Sequence, residues 1–178
     1  MTKYSDTKTE RNLLEAYAGE SQARNRYTFF ASVAKKEGLE LIADAFLRTA
    51  ANEKEHAELW YKEVCGIGDT QANLALAAQN EREEWSETYR RFAADAEEEG
   101  FDELAERFRL VADIEKRHEE RFSELKELLE TARMFAREEV KIWECRNCGQ
   151  LVVAAGAPEI CPTCEHPRSY YQLYAENY

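Results

Sequence analysis

An internal repeat with an offset of 62 positions relates the two halves of the segment 1–135. When the first half is moved along by 62 positions, aromatic residues fall on aromatic residues, glycine on glycine, glutamate on glutamate and histidine on histidine. The matching pairs are Tyr27 and Tyr89, Phe30 and Phe92, Gly38 and Gly100, Phe46 and Phe108, Glu53 and Glu115, and His56 and His118. Such a repeat predicts two similar units related by a pseudo-twofold axis, with a shared centre where equivalent residues meet.

The repeated part has the composition of long helices. It contains no proline and is rich in Ala, Glu, Leu, Lys and Arg, which are strong helix formers. Thr7 with Glu10 is typical of a capping box at the first helix, and Gly38 and Gly100 are typical of helix C-termini. The sequence therefore predicts a mainly α fold: a four-helix bundle with helices near residues 8–37, 40–65, 71–99 and 102–131.

The composition changes after Phe135. All three prolines and four of the five cysteines lie beyond it, and the segment 140–144 alternates apolar and polar residues like a strand. A loop-rich segment of this size is too small for a sufficient core of its own, so it needs a metal to hold it together. We therefore predict two domains: a helical bundle over residues 1–135 and a small metal domain over residues 140–178.

Every predicted helix interrupts its apolar stripe with glutamate. In the second helix, for example, Ile42, Phe46 and Ala50 are followed on the same stripe by Glu53 and His56. Burying so many carboxylates without partners costs several kcal/mol per charge, so a cation is expected. Two irons fit hard oxygens combined with two imidazoles, and Glu-x-x-His places both side chains on one helix face. The predicted metal ligands and catalytic residues are Glu20, Glu53, His56, Glu81, Glu84, Glu115 and His118.

The repeat fails at one position of this stripe. The strict equivalent of Glu20 is Arg82, which lies between Glu81 and Glu84. The third helix is therefore expected to contribute two ligands in a shifted register, which would make the site asymmetric. The glutamates off the stripe are expected to face solvent; they are Glu55, Glu58, Glu83, Glu119 and Glu120.

Two Cys-x-x-Cys pairs form the second metal motif. The pairs are separated by twelve residues, and together they place four thiolates around one metal ion. The predicted ligands are Cys145, Cys148, Cys161 and Cys164. Zinc and iron both accept four thiolates, and the motif alone favours zinc. Beside a di-iron bundle, iron is favoured because its one-electron Fe(II)/Fe(III) couple could supply electrons to the di-iron centre. Cys65, at a helix end, is expected to be a bystander.

Charge and missing motifs exclude other classes of function. The net charge of −12 argues against binding to nucleic acid or to an anionic membrane. The sequence shows no apolar run of membrane-spanning length and no secretory signal, so a cytoplasmic location is expected. It has neither a dinucleotide fingerprint nor a P-loop, so NAD(P)H would have to act through a separate reductase.

The combination of motifs resembles the rubrerythrin family along essentially the whole chain. The resemblance is carried by Ala-Gly-Glu20-Ser-Gln-Ala-Arg, Asn-Glu53-Lys-Glu-His56, Glu81-Arg-Glu-Glu84-Trp, Glu115-Lys-Arg-His118, Trp-Glu-Cys145-Arg-Asn-Cys148-Gly and Cys161-Pro-Thr-Cys164. It implies a ferritin-like bundle holding two irons, followed by a rubredoxin-like domain holding one.

The resemblance also implies a role for each ligand. Glu53 and Glu115 would bridge the two irons, Glu20 and Glu81 would be terminal carboxylates, and His118 would bind one iron in both redox states. Glu84 in the oxidised state and His56 in the reduced state would alternate on the other iron. Tyr27 and Tyr89 match tyrosines that hydrogen-bond to the carboxylates.

The function that the resemblance implies is a peroxidase that reduces hydrogen peroxide to water in oxidative-stress defence. Its electrons would come from a reductase or a rubredoxin and pass through the four-cysteine iron. A head-to-tail homodimer is implied, in which each four-cysteine iron serves the di-iron site of the other subunit. Two alternatives stay open from the residues: an iron-handling ferroxidase of ferritin type, and a non-catalytic electron carrier.

Overall fold

The first compact unit of the chain is a helical hairpin. The computed structural model describes residues 3–175 and divides the chain into two units, Met1–Gly68 and Asp69–Tyr178. In the first unit, α1 spans Lys8–Lys36 and α2 spans Glu40–Val64. Thr7 caps α1, because its hydroxyl accepts the N–H of Glu10 at 3.1 Å, and the Glu10 carboxylate accepts the N–H of Asp6.

The second unit begins with another helical hairpin. Its helices are α3, Thr70–Glu83; a π-helical segment, Glu84–Thr88; α4, Tyr89–Glu98; and α5, Asp102–Glu130. The helix predicted near 71–99 is therefore present as one continuous helical run, and the structure adds a π turn at residues 84–88. We call the run from α3 through the π segment to α4 the third helix.

Both hairpins turn in the same way. Gly38 and Gly100 have φ angles of 74° and 82°, a left-handed conformation that glycine adopts without steric cost. The residue after each glycine donates back into the helix: Leu39 N–H to Ala34 O at 2.9 Å, and Phe101 N–H to Ala96 O at 2.7 Å. This Schellman arrangement satisfies carbonyls that the helix end leaves free, so the repeat extends to the backbone of the turns.

Alanine lines the contact between the two helices of each hairpin. The buried alanines of the first hairpin include Ala31, Ala34 and Ala43, and each has a repeat equivalent that is also buried. Those equivalents are Ala93, Ala96 and Ala105. Small side chains let helix axes approach closely, and several large apolar side chains of each hairpin stay exposed, among them Ile42 and Leu104.

The same three aromatic rings pack together in each hairpin. Tyr27, Phe30 and Phe46 have ring centroids 5.6 to 6.3 Å apart in the first hairpin. Their repeat equivalents are 5.5 to 6.1 Å apart in the second hairpin. These separations are typical of favourable aromatic pairs, so the sequence repeat corresponds to a repeat in three-dimensional packing.

A three-stranded antiparallel sheet follows α5. Strand β1 spans Ala136–Cys145 and lies between β2, Leu151–Gly156, and β3, Tyr171–Leu173. Its core holds Trp143, which is 1% exposed and donates its indole N–H to the carbonyl oxygen of Ala154 at 3.0 Å. Two cysteines and Tyr171 share this core, so the metal-ligating residues are a large part of it.

The predicted fold class, mainly α with a small C-terminal sheet domain, is confirmed. The limits of the two predicted domains, residues 1–135 and 140–178, stay a prediction, and their outer ends lie outside the described residues. Among the described residues, no helix is long and apolar enough to cross a membrane.

Candidate metal centres

The first hairpin brings together three of the predicted metal ligands. Glu20 comes from α1, and Glu53 and His56 come from successive turns of α2. The Nδ1 atom of His56 lies 2.8 Å from a carboxylate oxygen of Glu53 and 3.8 Å from one of Glu20. One ligand atom of each residue lies within 4.8 Å of the others, which is close enough for one cation to contact all three.

The second hairpin repeats this group. Glu81 comes from α3, and Glu115 and His118 come from α5. Nδ1 of His118 lies 2.7 Å from Glu115 and 3.4 Å from Glu81, and the three ligand atoms again lie within 4.8 Å of one another. Each hairpin therefore carries two carboxylates and one imidazole on its own surface.

The surroundings of the second group penalise negative charge. Burial and the neighbouring Glu115 carboxylate together raise the pKa of Glu81. Burial also raises the pKa of Tyr89, and the carboxylates of Glu84, Glu115 and Glu81 raise it further. The Tyr89 phenol thus lies near these carboxylates, and its predicted hydrogen bond to them stays a prediction. A bound cation would compensate this crowding of charge.

The π segment explains why the repeat fails at Arg82. Glu20 and Glu81 hold equivalent places beside the two histidines, although their offset is 61 positions rather than 62. Tyr27 and Tyr89, further along the same helices, keep the offset of 62 positions. The third helix therefore has one extra residue between Glu81 and Tyr89. A single π turn accommodates one extra residue within a helix, and the segment Glu84–Thr88 lies in that interval.

Two predicted site residues lie outside these groups. Glu84 is exposed, begins the π segment and is not among the three clustered ligands of its hairpin. Its place in the metal site stays a proposal. Tyr27 is half-buried and stacks on Phe46 with ring centroids 6.2 Å apart, so it occupies the aromatic group of the first hairpin.

Glu119 was expected to face solvent, and that prediction is wrong. It is only 8% exposed and accepts two hydrogen bonds, from Arg82 Nε at 2.8 Å and from Trp85 Nε1 at 2.6 Å. Burial opposes its ionisation, but these two donors outweigh burial and lower the pKa of Glu119. The network ties α5 to α3 and to the start of the π segment.

The repeat contains the signal that would have found this network. The repeat equivalent of Glu119 is Ala57, which is buried between the helices of the first hairpin. The second hairpin thus places a carboxylate where the first places a methyl group. Because a buried carboxylate needs partners, Arg82 and Trp85 on the facing helix were the candidates to supply them.

Glu119→Ala is expected to destabilise the second hairpin by about 2–3 kcal/mol, since hydrogen bonds to a charged group contribute about that much. The Trp85 indole N–H would lose its partner, and the π segment would lose its link to α5. Unfolding in urea, followed by far-UV circular dichroism, measures the change in the free energy of unfolding.

Glu120→Ala is the matched control, because Glu120 is adjacent, exposed and only 4.0 Å from Lys116 in a surface ion pair. A surface change of this kind stays within about 0.5 kcal/mol. Equal effects of the two substitutions would contradict a structural role for the buried network.

The four predicted cysteines form one cluster in the C-terminal domain. Cys145 Sγ lies 3.7 Å from Cys164 Sγ, and Cys148 Sγ lies 3.7 Å from Cys161 Sγ. All four sulfur atoms lie within 4.8 Å of one another. A tetrahedral ion with metal–sulfur bonds of about 2.3 Å has sulfur–sulfur edges of about 3.8 Å, so these distances fit one tetrahedral metal ion.

The two cysteine pairs are built alike. Gly149 N–H donates to Cys145 O at 2.8 Å, and Glu165 N–H donates to Cys161 O at 3.0 Å. Gly149 and Glu165 both have left-handed backbones, with φ of 78° and 58°. The backbone N–H of His166 is the main cause that lowers the pKa of Cys164 to about 6, which favours the thiolate form that binds metal.

Cys65 lies apart from this cluster. It is exposed, follows the end of α2 and belongs to no described group of metal-ligating side chains. The structure thus places four of the five cysteines together.

The donor sets fit the two predicted kinds of metal centre. The carboxylate–imidazole groups match a di-iron carboxylate site, because they provide hard oxygens and one imidazole per iron. The cysteine cluster matches a rubredoxin-like site. The predicted cofactors, two irons at carboxylates and one iron at four cysteines, are confirmed.

Comparison with known families gives two adjoining matches. The model of the Rubrerythrin family matches residues 11–126, and the model described as "Rubrerythrin, rubredoxin-like domain" matches residues 143–172. The first match includes the carboxylate–histidine groups of both hairpins, and the second includes all four clustered cysteines.

Curated relatives match over nearly their whole length. Rubrerythrin-1 of Clostridium acetobutylicum is 44% identical, with 100% of both chains covered. Rubrerythrin of Porphyromonas gingivalis is 48% identical, with 97% of this chain and 92% of the relative covered. A solved structure of nigerythrin in a partially reduced state is 30% identical, covers 97% of this chain and 90% of its own, and has a TM-score of 0.37.

Proposed function

The chain belongs to the rubrerythrin family, and from this premise we propose that it is a peroxidase that reduces hydrogen peroxide to water. The observation that carries the proposal is the presence, in one chain, of two matching carboxylate–histidine groups and a four-cysteine cluster. The first is suited to a two-electron reaction, and the second to the return of single electrons. A cytoplasmic location and a role in oxidative-stress defence are part of the proposal.

The reaction consumes one hydrogen peroxide, two protons and two electrons, and it yields two water molecules. When bound, two ferrous ions supply both electrons and act as Lewis acids, and a four-cysteine iron carries replacement electrons one at a time. Those electrons come from a reductase or a rubredoxin, and NAD(P)H acts through that separate protein.

Each ligand has a proposed role in holding the irons. As the family resemblance implies, Glu53 and Glu115 would bridge them, and each lies against the histidine three residues later. Glu20 and Glu81 would be the terminal carboxylates, and His118 would be the constant imidazole. Glu84 and His56 would alternate on the second iron, and both are exposed, which leaves them room to move.

Tyr89 is proposed to keep a proton beside these carboxylates. Burial is the first cause of its raised pKa, and three neighbouring carboxylates add to the shift. The phenol therefore stays protonated at neutral pH and can donate a hydrogen bond to the carboxylates. Tyr27 occupies the equivalent position of the first hairpin and is proposed to donate a hydrogen bond to the carboxylates there.

Each of the two alternative functions needs only one of the two donor sets. A ferroxidase of ferritin type needs the carboxylates but has no use for a four-cysteine iron, and an electron carrier needs the cysteines but not the clustered carboxylates. The joint presence of both donor sets supports the peroxidase over either.

Visible absorption tests the proposal directly. The iron-loaded protein should show a red thiolate-to-iron band that bleaches when the protein is reduced anaerobically. One equivalent of hydrogen peroxide per di-iron site should then return the band faster than an equal amount of dissolved oxygen does. The full-length protein with its measured iron content is used throughout.

Three outcomes would contradict the proposal. A colourless protein with zinc in its four-cysteine site would exclude the electron relay. Faster return of the band with oxygen, together with ferric mineral formation, would indicate a ferroxidase. A band that returns with peroxide at the same rate after loss of the carboxylate-bound iron would indicate an electron carrier.

A further inference from the structure

We propose that the metal site of one copy of this chain is completed by a second copy, because the two hairpins of a single chain are joined too closely to share one ferritin-like bundle. In the assembly, the first hairpin of each copy packs against the second hairpin of the other. The inference concerns how the carboxylate site is assembled, and it holds whether or not the site reduces peroxide.

Each hairpin presents an unburied apolar face along its ligand stripe. Leu39, at the N-cap of α2, and Ile42 precede Glu53 and His56 on this stripe and are 44% and 47% exposed. Large apolar side chains exposed in a row mark a surface that packs against a partner. A groove beside them is lined by Tyr27, Ile42 and Phe46.

The second hairpin repeats this face. Phe101 and Leu104, the repeat equivalents of Leu39 and Ile42, are 57% and 44% exposed on the stripe that continues to Glu115 and His118. Alanines and the three aromatic rings make the contact within each hairpin, and these four side chains remain exposed for another partner. The two faces are matched in length and in the order of their residues.

The metal ligands identify what that partner is. Each hairpin holds two clustered carboxylates and one imidazole, which is half of the donor set of a di-iron carboxylate site. The missing half is found on the other hairpin of the same sequence. A second copy of this chain therefore supplies both the apolar surface and the ligands that each hairpin lacks.

The order of helices in a ferritin-like bundle requires one long connection. Such a bundle has one crossover that runs from one end to the other. The turns within the two hairpins are short, at residues 37–39 and 99–101, so the crossover must join α2 to α3.

The length of this crossover follows from the positions of the ligands. His56 lies eight residues before the end of α2 at Val64, or about 12 Å at 1.5 Å per residue. Thr70, which begins α3, lies eleven residues before Glu81, or about 16 Å. Because the crossover starts at one end of the bundle and finishes at the other, α2 and α3 run past the shared site in the same direction, and their linked termini are about 28 Å apart along the bundle.

The linker is too short to cover that distance. Only residues 65–69 lie between α2 and α3. The six steps from Val64 to Thr70 reach at most about 22 Å when fully extended. The second hairpin of the same chain therefore cannot complete the first in a ferritin-like bundle. In a dimer the linker does not have to span the length of a bundle, because each chain donates one hairpin to each of two bundles.

Complementation between damaged copies tests the proposal. Glu53→Ala damages the first hairpin and Glu115→Ala damages the second, so neither variant alone should load its carboxylate sites. The two variants carry different affinity tags, are expressed together, and the mixed species is isolated and loaded with Fe(II) anaerobically. One of its two sites then joins two undamaged hairpins, so we expect about half of the wild-type iron at the carboxylate sites.

The matched control combines Glu53→Ala with His56→Ala, both in the first hairpin. No pairing of these two copies makes an undamaged site, so iron should be lost at every carboxylate site. Equal loss in both mixtures would overturn the proposal, as would a wild-type protein that is a monomer with a full complement of iron. The measurement counts metal rather than turnover, so a failure of the peroxidase proposal does not change its outcome.

Lengthening the linker provides a second test. About 20 Gly/Ser residues inserted between Gly66 and Gly68 span about 25 Å on average, which would let one chain close its own bundle. When both Glu53→Ala and Glu115→Ala carry the insertion, the co-expressed mixture should lose its half of the carboxylate-bound iron, because each chain then closes on its own damaged hairpin. The same insertion after Ala132 should leave that half of the iron in place, and iron that is retained after the linker insertion would contradict the proposal.

Discussion

The double substitution Cys145→Ala and Cys161→Ala is expected to leave the C-terminal domain without metal and unfolded, while the helices keep their structure. Both side chains are fully buried, and each belongs to a different cysteine pair. Structural metal ions contribute about 10–16 kcal/mol in small four-ligand domains, which is as large as the whole stability of most small domains, about 5–15 kcal/mol. The sheet core consists largely of the ligands and their neighbours, so little else would hold it.

Three measurements follow this result. Metal analysis should show the loss of one iron per chain, the visible thiolate band should vanish, and the fluorescence of Trp143 should shift to the red as that side chain becomes exposed. Far-UV circular dichroism at the helical minimum should change little. Cys65→Ala is the control, because Cys65 is exposed and outside the cluster. A folded sheet domain in the metal-free double variant would show that the apolar core is sufficient.

His118→Ala is expected to lower peroxide turnover by about 100-fold or more while the red thiolate band remains. The imidazole lies 2.7 Å from Glu115 and 3.4 Å from Glu81, so its loss removes a donor from the centre of the group. Changes to residues that only support metal ligands already cost about 10–100-fold in affinity or activity, and loss of a ligand costs at least as much. Stopped-flow return of the bleached band with hydrogen peroxide measures the rate.

The control for this variant is Glu120→Ala, two residues along the same helix and exposed. It also truncates a polar side chain of α5 to alanine, but it lies outside the clustered ligands. Its rate should match that of the wild-type protein. Normal turnover in His118→Ala would overturn the assignment of the ligand group, and equal losses in both variants would indicate a general effect of the helix surface.

The helical repeat and the two donor sets are determined locally, and sequence alone was sufficient to predict them. Glu53 with His56, and Glu115 with His118, must share a helix face because residues three apart lie one above the other. The Cys-x-x-Cys spacing of residues 145, 148, 161 and 164 is similarly local, and it suits two pairs of thiolates that bind one metal ion. Glycine at 38 and 100 predicts the turns because left-handed backbone is accessible to it at no steric cost.

The extra residue in the third helix could not be placed from sequence. An inserted residue can rotate everything that follows it, or it can be absorbed in a π turn, and local propensity does not distinguish the two. Packing decides, since Tyr89 and Phe92 must keep their ring contacts with Phe108 while Glu81 stays beside His118. The π segment satisfies both requirements at once.

The burial of Glu119 was also decided by tertiary structure. Its helix position is the same as that of Ala57 in the other repeat, and only the facing helix determines whether a carboxylate can be accommodated there. Arg82 in α3 and Trp85 in the π segment donate the hydrogen bonds that the buried carboxylate needs.

The sequence by itself determined which carboxylates, imidazoles and thiols belong to the candidate metal groups, because ligand type and helical spacing are properties of short segments. The tertiary structure decided how those segments are held: alanine contacts within each hairpin, a π turn that restores the repeat, and half of a donor set on each exposed hairpin face. The physical reason is that the register and partners of a helix depend on what packs against it, and a single sequence does not state that.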